Sequence, residues 1–340
     1  MRFGYWMPVF GGWLRNVADE GMGVSWPYIR DLAVASEQQG FDLTLIAELN
    51  LNDIKGHRAP AWDAWTLAPA VAAATSTLEL MIAVRPNYHS PSLTAKALSS
   101  LDLIAPGRIS LNVVSSWWRD EATQYGAPFD VHDARYARTE EWLTLLRRLL
   151  TEATVTHAGP LYSLEAAILE PKPAAPPTVY MGGESPKAKE IISTHGDAYV
   201  MHGDPPDVIA TKVDDLNKRR AALGMSAMRF GVSAYVICRD TESEAQAELT
   251  RILDVRSSPD AYASYQDFIS GSNLESEVTL QEYSVSNRGL RANLIGTPTQ
   301  IISRIRAYEQ AGIDLMLLQF SPQHEEMARF SHDVIAHYPA

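Results

Sequence analysis

The chain has 340 residues, of which 46% are hydrophobic and 21% are charged, and its formal net charge is −12. This composition is typical of a globular protein with a large core. The net negative charge argues against nucleic acid or an acidic membrane surface as a partner, because binding to either requires basic patches. Cys238 is the only cysteine, which excludes an intrachain disulfide, and its apolar neighbours predict a buried core thiol.

The sequence contains no apparent membrane-spanning segment, secretion leader or metal-binding motif. No stretch approaches the ~20 apolar residues that cross a bilayer. The N-terminus has no charged leader followed by an apolar run and a cleavage site, so we expect a cytoplasmic protein. The nine histidines form no HxH or HExxH pair, and we expect no metal.

Short apolar runs alternate with amphipathic segments along the whole chain. The runs predict eight strands, at 2–9, 41–47, 78–84, 108–114, 178–182, 198–202, 229–238 and 313–320. Helical spacing predicts eight helices, at 27–39, 62–74, 91–104, 134–150, 186–194, 206–223, 242–253 and 298–311. This order predicts an α/β fold, a (β/α)8 TIM barrel formed by a single domain, 1–340. The alternative is an open doubly wound sheet, but the first strand lacks the GxGxxG turn of dinucleotide-binding sheets.

Two stretches depart from the repeat. Residues 151–177 hold two short apolar runs and a proline-rich segment, which predicts a hairpin. Residues 256–293 are long, polar and weakly periodic, which is typical of a mobile lid. Because barrel enzymes carry their chemistry on the loops that follow the strands, this second insertion is expected to cover the active site.

Several polar residues stand where predicted strands end. Ser185 follows two glycines and opens a helix, so a phosphate can bind there, although a simple helix cap explains the pattern equally well. Arg135 and Tyr136 can reach the same phosphate, or they can belong to a solvated helix face with Glu140 and Glu141. The Asn112 amide suits the polar edge of a flavin ring, or it simply ends a strand.

Together these segments resemble the luciferase-like flavin monooxygenases. The resemblance is carried in order by Pro91–Ala97, Asp102–Val114, Trp117, Glu121, His132–Tyr136 and Met181–Ser185. Within the family the chain is similar to the two-component branch that uses reduced FMN on small organosulfur compounds, dimethyl sulfone monooxygenases in particular. This similarity rests on Asn112–Ser115, Ser284–Arg291 and Leu317–Met327.

The resemblance implies a set of cofactor contacts and a reaction. The residues that match the family's FMN contacts, or lie where it packs the ring, are Ala47, Glu48, Asn112, Glu121, Arg135, Tyr136, Glu184 and Ser185. An NAD(P)H-dependent flavin reductase is expected to supply reduced FMN, and O2 is the second substrate. For dimethyl sulfone, cleavage of the C–S bond gives methanesulfinate and formaldehyde. A homodimer or homotetramer is expected.

The chain departs from alkanesulfonate monooxygenases at three positions. Where those enzymes carry an Arg and a His on the seventh strand, this chain has Ser233 and Tyr235, and Ser321 replaces a tyrosine near the last strand. A buried sulfonate without a cationic partner is costly, so the sequence favours a neutral substrate such as a sulfone.

For catalysis, we expect Arg288 to stabilise developing negative charge and His202 to donate a proton. The respective alternatives are a solvated loop arginine and a structural histidine. The residues expected to line the substrate pocket are Trp6, His57, Trp117, Tyr235, Asn287 and Ser321. Alternative functions are an alkanesulfonate or pyrimidine-type monooxygenase, a deazaflavin (F420)-dependent oxidoreductase, and a flavin-binding protein without activity.

Overall fold

A computed structural model describes residues 1–254, 265 and 278–338 of the protein. Its strands are β1 (Arg2–Trp6), β2 (Leu43–Ile46), β3 (Glu79–Val84), β4 (Ile109–Val113), β5 (Val155–Ala158), β6 (Ser163–Ala167), β7 (Thr178–Met181), β8 (Ala198–Met201), β9 (Arg229–Cys238), β10 (Leu294–Gly296) and β11 (Leu315–Gln319). Eight of them form a closed parallel ring in the order β9, β11, β1, β2, β3, β4, β7, β8. Because β9 pairs with both β8 and β11, the predicted TIM barrel is confirmed and the open sheet is excluded.

Helices surround the ring: α1 (Trp26–Gln38), α2 (Ala64–Ala74), α3 (Pro91–Ile104), α4 (Arg119–Gln124), α5 (His132–Thr151), α6 (Pro186–His195), α7 (Pro206–Ala222), α8 (Glu242–Ile252), α9 (Pro298–Gln310) and α10 (Gln323–Asp333). The sequence predicts eight of these and misses α4 and α10. Helix α4 has only six residues, too few for a periodic pattern. Only two apolar residues of α10, Met327 and Phe330, are buried. Within the described ranges, no helix is both long and apolar enough to cross a membrane.

The remaining described elements lie outside the ring. Strands β5 and β6 pair antiparallel within 151–177. The short strand β10 extends the barrel wall by pairing with the end of β9. Short 3-10 helices cover Glu282–Ser284, Ser286–Ala292 and Ile335–His337. Within 256–293, only residue 265 and residues 278–293 are described, so the rest of the expected lid lies outside the described residues.

Strand register fixes which side chains point into the barrel. The Tyr5 hydroxyl reaches Ser36 on α1, at 3.1 Å, so Tyr5 faces the helices. Side chains alternate along a strand, and Gly4 and Trp6 therefore face the interior. The positions in register with these two share their face, and they include Ser110, Asn112, Ser233, Tyr235 and Gln319.

A polar layer closes the opposite end of the barrel. Arg2 bonds to Glu79 at 2.7 Å and to the Tyr180 hydroxyl at 3.3 Å. Arg229 stacks over the Tyr180 ring at 5.7 Å. These side chains satisfy one another and block this end, so the carboxyl ends of the strands are the open mouth where a site can form.

Candidate active site

One corner of the mouth is the start of α6. The Ser185 hydroxyl accepts a hydrogen bond from the Ala188 amide at 3.1 Å, so Ser185 caps the helix. It also bonds to the Tyr136 hydroxyl, whose pKa is raised by burial. Gly183 has φ +142°, and a Cβ there would lie 2.8 Å from Ala188 and 3.2 Å from the Tyr136 hydroxyl. Exposed helix amides, two hydroxyls and a backbone without side chains form a cradle suited to a phosphate.

Arg135 lies beside this cradle at the start of α5. Its Nη1 donates to the Ser116 carbonyl, and its guanidinium covers the Phe129 ring at 4.7 Å. Its Nε and the Ser116 hydroxyl are buried without a hydrogen-bond partner among the described residues. Burial is the main cause of the lowered pKa of Arg135.

The alternative solvated face with Glu140 and Glu141 does not form, because these two carboxylates have other partners. Glu141 pairs with His157 at 3.0 Å, and Glu140 lies 3.7 Å from His195. Arg135 and Tyr136 instead lie together beside the start of α6, next to Ser116 and Ser185.

Asn112 lies at the interior end of β4, 8% exposed. Its Oδ1 is buried and has no partner in the described part of the chain, and the same holds for the Ser110 hydroxyl one layer below. A buried polar atom without a partner costs free energy in the ligand-free protein. Both side chains therefore suit a polar ligand that occupies the barrel mouth.

A buried ion-pair network connects the ends of β2 and β3 with α4. Arg85 donates to both carboxylate oxygens of Glu121, with Nη2 to Oε1 at 3.1 Å, and its backbone amide donates to Glu48 at 2.8 Å. Glu121 also accepts from the Tyr88 hydroxyl at 3.2 Å and from the Asn50 amide. The second oxygen of Glu48 bonds to His89. The carboxylates of Glu48 and Glu121, both expected from the sequence to lie at the FMN site, thus hold neighbouring protein groups.

A second network joins β7, β8 and α7 to the 3-10 helix Ser286–Ala292. Arg288 is 4% exposed and bonds to Glu184, so it is not a solvated loop residue. Lys212 bridges Glu184 at 3.3 Å and Asp204 at 2.8 Å. Burial raises the pKa of Glu184, but the positive groups around it, Arg288 and Lys212 among them, outweigh this effect and lower it overall.

His202 lies in this network. Burial and the neighbouring Arg288 lower the pKa of His202 to about 4. The ring is therefore neutral at neutral pH and carries no acidic imidazolium proton there. This argues against the proton-donor role predicted from the sequence, although a neutral ring can still donate a hydrogen bond.

Two glycines allow the helix Ser286–Ala292 to sit directly on the barrel. A Cβ on Gly203 would lie 2.5 Å from the Arg288 carbonyl oxygen, and one on Gly289 would lie 2.8 Å from the Tyr235 amide. Arg288 itself has φ +52°. Asn287 belongs to this helix, but its side chain lies outside the described residues.

A third polar group lies at the ends of β9 and β11. Ser321 donates to the buried Glu20 at 2.5 Å, and Tyr235 bonds to Ser321. Burial, reinforced by the Glu20 carboxylate, raises the pKa of Tyr235, so the phenol keeps its proton. Glu20 also accepts from Lys55 at 2.5 Å and from the Trp13 amide at 2.8 Å.

The predicted aromatic and histidine pocket residues separate into two places. Trp6 faces the barrel interior and packs edge-on against Trp13, 6.4 Å between ring centroids. Trp117 is 47% exposed and stacks on Trp118. The exposed His57 packs against the Trp118 ring, with 4.9 Å between the ring centroids. Trp117 and His57 thus lie on the outer rim rather than in the barrel interior.

Sequence reasoning missed several residues of the mouth: Glu20, Lys55, Lys212 and Gln319. Gln319 had a usable signal, since a polar residue ends an apolar strand there as Asn112 ends β4. The other three are charged residues in loops or on a helix, where a charged side chain gives no local signal of burial. Among the described residues, no three His, Cys, Asp or Glu side chains are grouped so as to hold a metal ion.

The closed barrel and the polar groups at its mouth suit a flavin-dependent enzyme, and the comparisons with known proteins identify the family. Residues 1–315 match the model of the luciferase-like monooxygenase family, so the chain belongs to that family. It is 33% identical to the FMNH2-dependent dimethylsulfone monooxygenases of Pseudomonas fluorescens (strain Pf0-1) and Pseudomonas putida. Each match covers 98% of this chain, with 93% and 94% of the respective relatives. The family predicted from the sequence is confirmed.

Among solved structures, the chain resembles riboflavin lyase (RcaE), determined with modified FMN and its substrate riboflavin. The TM-score is 0.81 at 20% identity, covering 99% of this chain and 90% of that one. At this identity the likeness concerns the fold alone.

Proposed function

We propose that this protein is a monooxygenase that uses reduced FMN and O2 to cleave a C–S bond of dimethyl sulfone, giving methanesulfinate and formaldehyde. The observation that carries the proposal is the set of buried polar atoms without partners at a barrel mouth that has a phosphate cradle at one corner. Relatives that are 33% identical over nearly the whole chain carry the name of this activity.

The described residues fit FMN. Ser185, Tyr136 and Arg135 would hold its phosphate through helix amides, hydroxyls and a guanidinium. Asn112 would bond to the polar edge of the ring, and the backbone at Ala47 and Glu48 would support the other edge. Bound in its reduced form, FMN supplies the electrons that activate O2. Glu121 and Glu184 would not contact FMN themselves but would hold Arg85 and Arg288 in position.

The wall around Tyr235 supports a neutral substrate. Ser233 and Tyr235 on β9 carry no charge, and the Ser321 hydroxyl is committed to Glu20. The Arg288 guanidinium is directed to Glu184, which follows β7, and not to this wall. A sulfonate at this wall would lack a cation of its own, which is costly in a buried site. A sulfone has no charge to compensate.

The segment 256–293 would act as the lid over this site. Its described part carries Arg288, held over the interior ends of β8 and β9, where it would stabilise negative charge while water is excluded. His202 would keep Arg288 and Glu184 in place through its neutral ring. An NAD(P)H-dependent reductase would supply reduced FMN, and we expect a cytoplasmic homodimer or homotetramer.

The test is an aerobic assay with reduced FMN from a flavin reductase, which follows formaldehyde and sulfinate from dimethyl sulfone. Methanesulfonate, longer alkanesulfonates and uracil serve as competing substrates. Formation of product from the sulfone alone supports the proposal. Sulfite release from a sulfonate would assign a different substrate class, and hydride transfer from a deazaflavin without O2 uptake would assign a different cofactor. Binding of reduced FMN without turnover of any of these substrates would remove the organosulfur assignment.

A further inference from the structure

Three neighbouring strands present one row of polar side chains to the barrel interior. Gln319 on β11 is in register with Tyr235 on β9. On the other side, β1 and β11 pair through Tyr5 and Leu318, so Trp6 and Gln319 follow as the next neighbours. Adjacent strands are about 4.8 Å apart, which places Trp6, Gln319 and Tyr235 side by side. Asn112 lies across the ring, because four strand positions separate β11 from β4 in either direction.

Within this row, Tyr235 is already engaged. Its hydroxyl bonds to Ser321, which in turn donates to the Glu20 carboxylate, and Lys55 balances the charge of Glu20. The Tyr235 hydroxyl therefore already has a partner within the protein, and Ser321 donates its own proton to Glu20. Tyr235 and Ser321 shape the wall.

Trp6 and Gln319 differ from Tyr235 in this respect. The Trp6 indole Nε1 and the Gln319 Oε1 are buried with no partner in the part of the chain that the structure describes. Gln319 is 0% exposed, and the other end of its amide bonds to the Ser286 hydroxyl at 2.9 Å. The amide nitrogen carries two N–H groups, and among the described residues it bonds only to Ser286. Its second N–H can therefore be offered to a ligand.

We infer that Trp6 and Gln319 bind the two oxygens of a neutral sulfonyl group, one through the indole N–H and the other through the amide N–H. This inference rests on the proposed function and names the residues that would select its substrate. Two neutral donors suit oxygens without a full charge, whereas a sulfonate would call for a cation. Binding would satisfy buried polar groups that are otherwise without partners, so an analogue that lacks both oxygens would be rejected.

One other tryptophan has a similar indole. Trp62 Nε1 is also buried without a partner among the described residues, but Trp62 lies in the loop before α2, where its backbone amide bonds to Val9. Trp65 provides a matched control, because its indole N–H already donates to the Ala83 carbonyl at 3.2 Å. The three indoles can be told apart by single substitutions to phenylalanine.

The experiment records the indole N–H signals of 15N-tryptophan-labelled, FMN-saturated protein during titration with dimethyl sulfone. The signal that Trp6→Phe removes should shift to lower field, as expected on hydrogen bonding, and the signal that Trp65→Phe removes should stay in place. In parallel, Trp6→Phe and Gln319→Leu should each raise the KM for the sulfone about 10-fold, the loss expected for one hydrogen bond. Their affinity for FMN should equal that of the wild type, which also shows that both variants fold.

The outcomes separate this inference from the function on which it rests. Turnover of the sulfone with no shift at Trp6, or with a shift at Trp62 instead, would overturn the inference and leave the proposed function standing. A shift at Trp6 without turnover would support the binding site and remove the proposed reaction. If neither a shift at Trp6 nor turnover were observed, both the inference and the proposed function would be overturned.

Discussion

The guanidinium of Arg85 donates to both carboxylate oxygens of Glu121, and the two side chains are 1% and 0% exposed. Arg85 follows β3 and Glu121 lies in α4, so this pair fixes two loops at the mouth relative to each other. Glu48 shares the same guanidinium at 3.4 Å and thereby ties in the end of β2. The side of the mouth formed by β2, β3 and α4 depends on this buried charge pairing.

We expect Glu121→Gln to destabilise the fold by about 3–5 kcal/mol, because it leaves the buried Arg85 with only part of its charge compensated. Urea unfolding of the purified protein measures this change. Arg148→Gln is the control, since Arg148 and Glu152 form an exposed i,i+4 pair whose charges are screened by solvent. Equal losses in the two variants would mean that the buried pair contributes no more than a surface pair.

Removal of Arg135 should weaken FMN binding. The charge-assisted contact that its guanidinium would make to phosphate contributes about 1.5–3 kcal/mol, so we expect Arg135→Gln to raise the Kd for FMN roughly 10- to 150-fold. Quenching of flavin fluorescence measures the Kd. Arg138→Gln, one turn further along α5, is the control because Arg138 pairs with Asp130 at 2.8 Å. If the control lost as much affinity as Arg135→Gln, the phosphate would not be bound where we place it.

The close contact at Gly203 should not tolerate a side chain. In Gly203→Ala the new methyl would meet the backbone oxygens of Arg288 and Ser233 at 2.5 and 2.9 Å, so the helix Ser286–Ala292 would have to shift. We expect a stability loss of about 1–3 kcal/mol and a larger fall in kcat/KM. Thermal unfolding and product formation are measured on the same sample.

Gly23→Ala is the matched control for this variant. A Cβ on Gly23 would lie 3.6 Å from the Ser25 hydroxyl, an ordinary contact, so little change is expected. Unaltered turnover in Gly203→Ala would show that the position of this helix does not matter for the reaction.

Folding stability should depend on pH through His202. The pKa of His202 is lowered to about 4, against ~6.5 for a free histidine. Below pH ~6.5 the unfolded chain binds a proton that the folded chain does not, so stability falls as the pH drops from ~6.5 to about 4. The slope from this one group is at most about 1.4 kcal/mol per pH unit.

Urea midpoints of the wild type and His202→Gln at pH 7, 6 and 5 test this dependence. The variant should lose less stability between pH 7 and pH 5 than the wild type does. His332→Gln serves as the control, because the His332 side chain is 86% exposed. Parallel curves for wild type and His202→Gln would show that His202 is not held neutral by the fold.

The sequence was a good guide to the barrel and to one part of the site. All eight ring strands were predicted, because each is a buried apolar run bounded by turn residues. The cluster of Ser185, Tyr136 and Arg135 was predicted because glycines, a helix start and a nearby cation carry a local signal for phosphate. By contrast, the roles of Glu20 and Arg85 could not be predicted, since their partners Ser321 and Glu121 are 301 and 36 residues away.

The amino-acid sequence by itself determined the alternation of strands and helices, the closed barrel that follows from it, and membership of the luciferase-like monooxygenase family. These features depend on local periodicity and on short motifs, which a linear sequence contains in full. The tertiary structure alone decided that Tyr235 is committed to Ser321 and Glu20, that Arg288 is buried against Glu184, and that Trp6 and Gln319 remain available inside the barrel. Such assignments depend on which polar groups meet in space and satisfy one another, and residue type does not specify that.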